Sequence, residues 1–117
     1  MYKVKLSSIY KISIGEYYYI GKSIDTFSRW SSHYTLLKLN SHHSPELQCK
    51  FNDELGVISL TFSVLEYVSI TEYKKENQMK GKELKKSFNR YLLSKEKEWM
   101  NLHSINFALN KDKKYFS

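Results

Sequence analysis

Two tyrosines near the start of the chain, Tyr10 and Tyr19, are followed by Arg29 and then His33. These residue types suit the hydrolysis of a phosphodiester bond. The guanidinium of arginine presents a planar fork of donors to phosphate oxygens, and histidine can transfer a proton near neutral pH. A tyrosine can act as a base if its neighbours favour the phenolate. The pattern therefore indicates chemistry on nucleic acid.

A β-hairpin is predicted over residues 8–22, where Ile and Tyr dominate and only Gly15-Glu16 interrupts them. Tyr10 then faces Gly21 across the hairpin, and Tyr19 lies diagonal to Tyr10 on the same face, with the side chains roughly 5 to 8 Å apart. Because Gly21 has no side chain, we expect a substrate phosphate to approach the strand opposite Tyr10.

A helix is predicted to follow the hairpin, with Asp25 or Ser23 as its cap. The residues expected to pack on the sheet recur at helical spacing and are Phe27, Trp30, Tyr34 and Leu37. Arg29 and His33 are four residues apart on an adjoining face. Their side chains should therefore stack one turn apart and reach the same edge of the hairpin.

The middle of the chain predicts a second helix over about 45–55, with Ser44 as its cap and Gly56 as its stop. Residues 57–68 alternate between apolar and polar types and predict a third strand. The polar segment 71–82 is either a short helix or a mobile connection. Together these elements predict an α+β fold with a small three-stranded antiparallel sheet flanked by helices.

The last helix places a carboxylate where its pattern calls for an apolar residue. The apolar column of this helix is Leu84, Phe88 and Leu92. The next member of the column is Glu96, and burying a carboxylate is costly unless it is paired or binds a metal. Glu96 is therefore expected either to pair with Lys22 or Arg29 or to bind a cation. We favour a single Mg²⁺ or Mn²⁺, because Mg²⁺ accepts one or two carboxylates together with phosphate oxygens.

Several short motifs, taken in order, resemble the GIY-YIG nuclease family, which includes phage and intron homing endonucleases, some restriction enzymes and a nucleotide excision repair nuclease. The motifs are Ser8-Ile9-Tyr10, Tyr19-Ile20-Gly21, Arg29-Trp30 with His33, Leu47-Gln48, Phe51-Asn52, Gly56, Phe62, Leu65-Glu66 and Glu96 with Trp99-Met100. Ser8 replaces the first glycine of the family pattern. The resemblance covers about residues 8 to 110 and implies a metal-dependent DNA endonuclease, closest in pattern to phage and intron homing members.

The resemblance also implies roles for the site residues. Tyr10 would orient and deprotonate the attacking water, while Tyr19 would help to position water or phosphate. His33 would accept the proton from Tyr10, although the general base remains open among Tyr10, Tyr19 and His33. Arg29 would stabilise charge on the phosphate, and Glu96 would hold the metal.

Other residues are predicted to support the site or to contact DNA. The late asparagine of the family is either Asn106 or Asn110, and the apolar run before Asn110 favours that residue. Gly21 and Lys22 are expected to support the site. The residues predicted to contact DNA are Lys22, Arg29, His42, His43, Lys82, Lys86 and Arg90. Adjacent histidines are poorly spaced for one metal, so His42 and His43 are interpreted as loop residues near DNA.

Composition agrees with this interpretation. The chain has 117 residues and a formal charge of +7, which suits one nuclease domain over 1–117 without a separate DNA-binding domain, and which favours DNA as the partner. No signal peptide is recognised, and no apolar run approaches the ~20 residues that a membrane span needs. We therefore expect a soluble, intracellular protein of the phage or bacterial cytoplasm, without membrane association. Cys49 is the only cysteine and is predicted to be buried.

The favoured function is a free-standing endonuclease of the homing or mobile-element type. The first alternative is a repair or recombination nuclease that recognises DNA structure. The second is a catalytically silent DNA-binding module, which Tyr10, Arg29 and Glu96 argue against because all three are present. One site cuts one strand, so a monomer predicts nicking, whereas a homodimer or a specificity-giving protein partner would permit double-strand cleavage.

Overall fold

The computed structural model describes residues 5–53 and 59–117 and is built around a three-stranded antiparallel sheet with the order β2-β1-β3. The strands are β1 (Ser8–Ile14), β2 (Tyr17–Ser23) and β3 (Leu60–Tyr67). The helices are α1 (Thr26–Lys38), α2 (Pro45–Asp53), α3 (Ile70–Asn77) and α4 (Gly81–Asn101), followed by a 3₁₀ helix at Ile105–Phe107. The predicted α+β fold is confirmed. The predicted end of the second helix at 55–56 and the first residues of the predicted third strand, 57–58, lie outside the described residues.

The hairpin has the register that its turn predicts. Tyr10 pairs with Gly21, and Ile12 pairs with Tyr19. Gly15 has a φ of 58° in the turn, a left-handed conformation that glycine adopts without steric cost. The two tyrosines therefore lie on the same face of the sheet as diagonal neighbours.

Alternation along β1 divides the core between the two faces of the sheet. On one face, Ile12 packs with Leu37 of α1 and Leu47 of α2. On the opposite face, Ile9 packs with Phe88 of α4. The sheet is thus the middle layer, and β2, as an edge strand, lies where side chains from both helical layers can meet.

A β-bulge interrupts the alternation predicted for the third strand. Ile9 faces Glu66, whereas the next residue, Tyr10, faces Val64, so that Leu65 is the extra residue on β3. The side chain of Leu65 packs against the core on the α4 face. The predicted alternation therefore holds only as far as the bulge.

Two side-chain predictions were wrong. Phe27 was expected to pack on the sheet but is 53% exposed, because it lies in the first turn of α1 and packs edge-on against Trp30, with ring centroids 5.5 Å apart. Cys49 was expected to be buried but is exposed. It is two residues from both Leu47 and Phe51, the buried residues of α2, and therefore lies on the outer side of that helix.

The polar segment after β3 forms a helix rather than an irregular connection. The Ser69 hydroxyl caps α3 by accepting a hydrogen bond from the backbone N–H of Glu72, 3.2 Å away. Gln78 ends the helix in a left-handed conformation with a φ of 51°. Of the two alternatives for 71–82, a short helix is therefore correct.

Within the described parts of the chain, no helix is long and apolar enough to cross a membrane.

Candidate active site

The site begins at Tyr10, whose ring is only 2% exposed and lies directly over Gly21. A Cβ atom at Gly21 would stand 2.4 Å from the hydroxyl oxygen of Tyr10. The gap opposite Tyr10, which the sequence assigned to a substrate phosphate, is filled by the ring of Tyr10 itself. Gly21 is therefore needed for the position of the tyrosine.

Helix α1 brings a histidine to this tyrosine. The Asp25 carboxylate caps α1 by accepting a hydrogen bond from the backbone N–H of Ser28, 3.3 Å away. Two turns further along, His33 is buried, and its Nε2 lies 2.7 Å from the hydroxyl oxygen of Tyr10. The ring of Tyr19 lies 5.3 Å from the ring of His33, measured between centroids. The structure thus brings together three of the predicted site residues, Tyr10, Tyr19 and His33.

A second histidine extends this hydrogen-bonded chain. The Nδ1 of His33 lies 2.6 Å from the Nε2 of His42, and the backbone N–H of Ser44 donates to the Nδ1 of His42 over 2.9 Å. His42 was expected in a loop near DNA, and it does lie in a loop, but its side chain is buried, with only 8% exposed. Sequence reasoning therefore missed its place behind His33.

The hydrogen-bond network fixes the direction of this chain. A backbone N–H can only donate, so the Nδ1 of His42 carries no proton and its Nε2 must carry one when the ring is neutral. His42 then donates to the Nδ1 of His33, and the proton of neutral His33 lies on Nε2, where it is donated to Tyr10. This direction is opposite to the one expected from the sequence, in which His33 accepts a proton from Tyr10.

Both histidines are neutral in the folded protein near pH 7. Burial, followed by the charges of His42 and His43, lowers the pKa of His33 to about 3. Burial and the charge of His43 lower the pKa of His42 to about 4, and a backbone contact with Ser44 opposes that shift without reversing it. Because neither ring is charged, the tautomers above apply.

The loop that carries His42 is held by short-range contacts. Asn40 has a φ of 56°, which reverses the chain after α1. The backbone N–H of His42 then donates to the Oε1 of Gln48 over 3.1 Å, and the Ser44 hydroxyl caps α2 by accepting from the N–H of Leu47. The predicted cap at Ser44 is thus present. Nine residues separate His33 from His42, and this spacing gave no sign that the two rings meet.

Tyr19 and His43 form the exposed side of the same cluster. The Nε2 of His43 lies 3.1 Å from the hydroxyl oxygen of Tyr19, and His43 is exposed. Burial and then the charge of Glu96 raise the pKa of Tyr19 to about 12. Burial, with the charge of Tyr19 second, raises the pKa of Tyr10 well above its usual range, while the charge of Arg29 opposes the shift. Both tyrosines are therefore protonated in the free protein near pH 7.

Glu96 of α4 approaches Tyr19 and His43 from the face of the sheet opposite to α1. It lines a cleft of about 260 Å³ together with Tyr19, His43 and Asn110. Burial raises the pKa of Glu96, and the charges of Lys22 and Lys97 oppose that shift. The Glu96 carboxylate forms no ion pair or hydrogen bond within residues 5–53 and 59–117. The direct ion pair with Lys22 or Arg29, which was one of its two predicted states, is therefore not formed.

The residues present fit a single divalent cation at Glu96. The carboxylate is half-buried and without a partner among the described residues, which is the situation that a bound cation would relieve. No group of three or more His, Cys, Asp or Glu side chains in the described ranges could hold a metal on its own. Glu96 would therefore supply one ligand, with water and phosphate oxygens supplying the others, as Mg²⁺ prefers.

The remaining predicted residues lie on α1, β2 and α4. Arg29 is exposed on α1, and its charge acts on the pKa values of Tyr10 and Tyr19. Lys22 is half-buried on β2, where its charge acts on Glu96. Lys82, Lys86 and Arg90 are exposed along α4.

Of the two candidate asparagines, Asn110 lies in the cleft. Its side-chain amide donates to the backbone oxygen of Ile20 over 2.7 Å and accepts from the backbone N–H of Ile20 over 3.0 Å. Asn106 is exposed and lines a different cavity beside Tyr17. Asn110 therefore fixes the C-terminal segment to the edge strand.

The sheet, the surrounding helices and the cluster at the β2 edge define a GIY-YIG nuclease fold. Two solved structures share it. A point mutant of the catalytic domain of the intron endonuclease I-TevI matches with 24% identity and a TM-score of 0.66, over 96% of this chain and 99% of that domain. The catalytic domain of the homing endonuclease I-TevI matches with 23% identity and a TM-score of 0.62, over 90% of this chain and 99% of that domain.

No protein-family model matches the chain, and no curated protein does either. At the identity of the two structural matches, the likeness shows the fold. It confirms the fold predicted from the short motifs.

Proposed function

We propose that this protein is a DNA endonuclease that hydrolyses phosphodiester bonds with the help of one divalent metal ion. The observation that carries the proposal is the contact of the buried chain Tyr10–His33–His42 with Tyr19, which lines one cleft together with Glu96. The fold shared with two endonuclease catalytic domains supports it. The formal charge of +7 favours a polyanionic substrate.

In this proposal Tyr10 orients the attacking water. Because His33 donates to the hydroxyl oxygen of Tyr10, the phenol proton is free to point to a water or phosphate oxygen. The same hydrogen bond and the charge of Arg29 oppose the rise in the pKa of Tyr10, but burial dominates, so Tyr10 keeps its proton and acts by orienting the water. Tyr19, on the exposed side of the cluster, helps to position the water or the phosphate.

Positive charge for the phosphate comes from Arg29, whose charge acts on the two tyrosines, and from Lys22, whose charge acts on Glu96. Arg29 can offer two parallel donors to phosphate oxygens, which suits the charge that develops during hydrolysis. Glu96 is the residue that would hold Mg²⁺ or Mn²⁺. When bound, such an ion stabilises charge on the phosphate and assists departure of the leaving oxygen.

The biological type that we propose is a homing or mobile-element endonuclease. Both structural matches are catalytic domains of a homing endonuclease, which supports this type over a repair nuclease. Sequence recognition would then depend on loops around 40–44, on the region of α3, on dimerisation or on a partner protein.

A supercoiled-plasmid assay tests the proposal. With Mg²⁺ or Mn²⁺, we expect the native protein to produce open-circular or linear DNA. Glu96→Ala and Tyr10→Phe should each reduce the rate by at least about 100-fold, the typical size of an acid–base or electrostatic contribution to catalysis. The matched controls are Glu98→Ala on the same helix and Tyr67→Phe on β3, both at exposed positions. Cleavage that persists in both site variants, or an absence of cleavage by the native protein, would contradict the proposal.

A further inference from the structure

One wall of the cleft is built by the C-terminal segment, to which the proposed function assigns no role. Lys111, Asp112 and Tyr115 line the cleft together with Tyr19 and Glu96. We propose that Lys111 and Lys114 of this segment, together with Lys97 of α4, bind the backbone phosphates of the DNA strand on either side of the bond to be cut. This inference rests on the proposed function and adds a substrate-binding surface to it.

The segment is held in a fixed position at both ends. At its start, the side chain of Asn110 bridges the backbone N–H and oxygen of Ile20 on β2. At its end, Phe116 is buried in the core on the α4 face, and the backbone N–H of Ser117 donates to the oxygen of His103 over 3.0 Å. Residues 111–115 therefore bridge two anchored points and form a preorganised wall, which lowers the entropic cost of binding.

The charge of this wall is positive and is concentrated around one aromatic ring. The ammonium of Lys97 lies 4.5 Å from the centroid of the Tyr115 ring, and that of Lys114 lies 5.2 Å from it. Lys111 adds a third ammonium on the side of the cleft. The Tyr115 ring, which lines the cleft, thus has two lysine side chains beside it, because cations are attracted to the faces of aromatic rings.

None of these three lysines forms an ion pair within the described residues, although the charge of Lys97 acts on Glu96. Across residues 5–53 and 59–117, the ion pairs join Lys95 to Glu66 and Lys113 to Glu46, and none involves Lys97, Lys111 or Lys114. The carboxylate of Asp112 also lines the cleft, but it accepts a hydrogen bond from the backbone N–H of Lys114 over 3.1 Å. This hydrogen bond fixes the turn and offsets part of the negative charge.

The segment is also continuous with the basic side of α4. Lys86, Arg90 and Lys97 are separated by four and seven residues, so they lie on one stripe of the helix. Lys97 is the member of this stripe that meets Tyr115. A DNA strand that follows the stripe would therefore pass the wall formed by 111–115 at the cleft.

The test measures DNA binding without cleavage. A fluorescein-labelled duplex oligonucleotide is titrated in EDTA at several salt concentrations, and the slope of log K against log salt is obtained from fluorescence anisotropy. The variant is Lys111→Ala with Lys114→Ala, and the matched control is Lys113→Ala, in which the lysine removed from the same segment is already paired with Glu46. A second variant, Lys111→Gln with Lys114→Gln, retains most of the side-chain length without the charge, and thermal unfolding monitors folding.

We expect the slope to become less steep by about 0.9 for each phosphate that the protein no longer neutralises, in the double variants but not in the control. Equal slopes in all proteins, an equal change in the control, or no binding by the native protein would overturn the inference. The expected change of slope in a protein that never cuts plasmid DNA would support the phosphate-binding wall while refuting the nuclease. Plasmid cleavage by the native protein with an unchanged slope in the double variants would support the nuclease and refute the phosphate-binding wall.

Discussion

Gly21 determines where Tyr10 can lie, because the two residues pair across the hairpin and the tyrosine ring covers the glycine. In Gly21→Ala, the new methyl group would meet the hydroxyl and ring of a buried side chain held by His33. We expect the free energy of unfolding to fall by about 1–3 kcal/mol, the usual cost of overpacking, and the cleavage rate to fall as Tyr10 is displaced. Urea denaturation and the plasmid assay measure the two effects.

A double-mutant cycle isolates the cause of this loss. When Tyr10 is first replaced by alanine, the space over Gly21 is empty, so the added cost of Gly21→Ala should largely disappear. If Gly21→Ala lowers the free energy of unfolding equally in the Tyr10→Ala background, the glycine is required by the backbone conformation and not by contact with the Tyr10 ring.

The direction of the histidine chain can be observed without any assay of activity. We expect His33 and His42 each to carry the neutral-ring proton on Nε2, because Ser44 donates to Nδ1 of His42. Nitrogen chemical shifts of the imidazole rings distinguish the two tautomers directly. A proton on Nδ1 of His33 would contradict this arrangement and restore His33 as an acceptor for the proton of Tyr10.

Substitution of His42 tests the same arrangement chemically. His42→Gln retains an N–H donor for His33, whereas His42→Glu offers an acceptor, which favours the opposite His33 tautomer. We therefore expect the glutamate variant to cut plasmid DNA at least about 10-fold more slowly than the glutamine variant, with DNA binding in EDTA retained by both. Equal rates in the two variants would argue against a role for the tautomer.

The lowered pKa values of these histidines predict the pH dependence of stability. The unfolded chain binds a proton at each histidine near pH 6.5, whereas the folded protein does so only near pH 3 at His33 and pH 4 at His42. Unfolding therefore takes up protons below pH 6.5, and the free energy of unfolding should fall as pH falls towards 4. The slope should reach up to about 1.4 kcal/mol per pH unit for each histidine.

Urea denaturation between pH 7 and pH 4.5 measures this slope. His42→Gln removes one of the two titrating groups and should flatten it. The exposed neighbour provides the control, since His43→Gln should leave most of the slope in place. If the free energy of unfolding of the native protein does not change between pH 7 and pH 4.5, the pKa values of the buried histidines are not lowered by folding.

Among the elements, the edge strand β2 joins the two helical layers through one side chain from the C-terminal segment. Asn110 accepts from the N–H of Ile20 and donates to its oxygen, and both bonds are buried. Asn110→Asp keeps the acceptor but places a second carboxylate oxygen against the Ile20 oxygen. We expect the aspartate variant to lose about 1–3 kcal/mol of stability, at least as much as Asn110→Ala.

Thermal or urea unfolding measures the loss at Asn110. Asn106→Asp, at an exposed position, makes the same chemical change and should alter stability by less than about 0.5 kcal/mol. Similar effects at the two positions would show that the hydrogen bonds to Ile20 contribute little.

At the scale of the whole molecule, side chains from both faces of the sheet approach one another at the β2 edge. Tyr19 of β2 and Glu96 of α4 line one cleft, and His33, which is hydrogen-bonded to Tyr10, packs against Tyr19. This single cleft can hold one scissile phosphate. At limiting protein we therefore expect open-circular plasmid to accumulate before linear DNA. Direct appearance of linear product, with a rate that rises as the square of protein concentration, would instead indicate that two copies act together.

The sequence by itself determined the features that depend on neighbours in the chain. The turn at Gly15-Glu16 set the hairpin register, the caps at Asp25 and Ser44 set the helix starts, and the column of α4 led to Glu96. Each follows from local backbone geometry and side-chain periodicity, which short stretches of residues specify. The ordered motifs also predicted the fold, and the two structural matches confirm it.

Tertiary structure decided which of these side chains are buried together. His42 lies behind His33, Tyr10 fills the space over Gly21, Cys49 faces outward and Asn110 bridges Ile20. None of these contacts has a signature in local periodicity. Each depends on packing between elements brought together from different parts of the chain, because burial and hydrogen-bond partners become defined only when the layers close on the sheet.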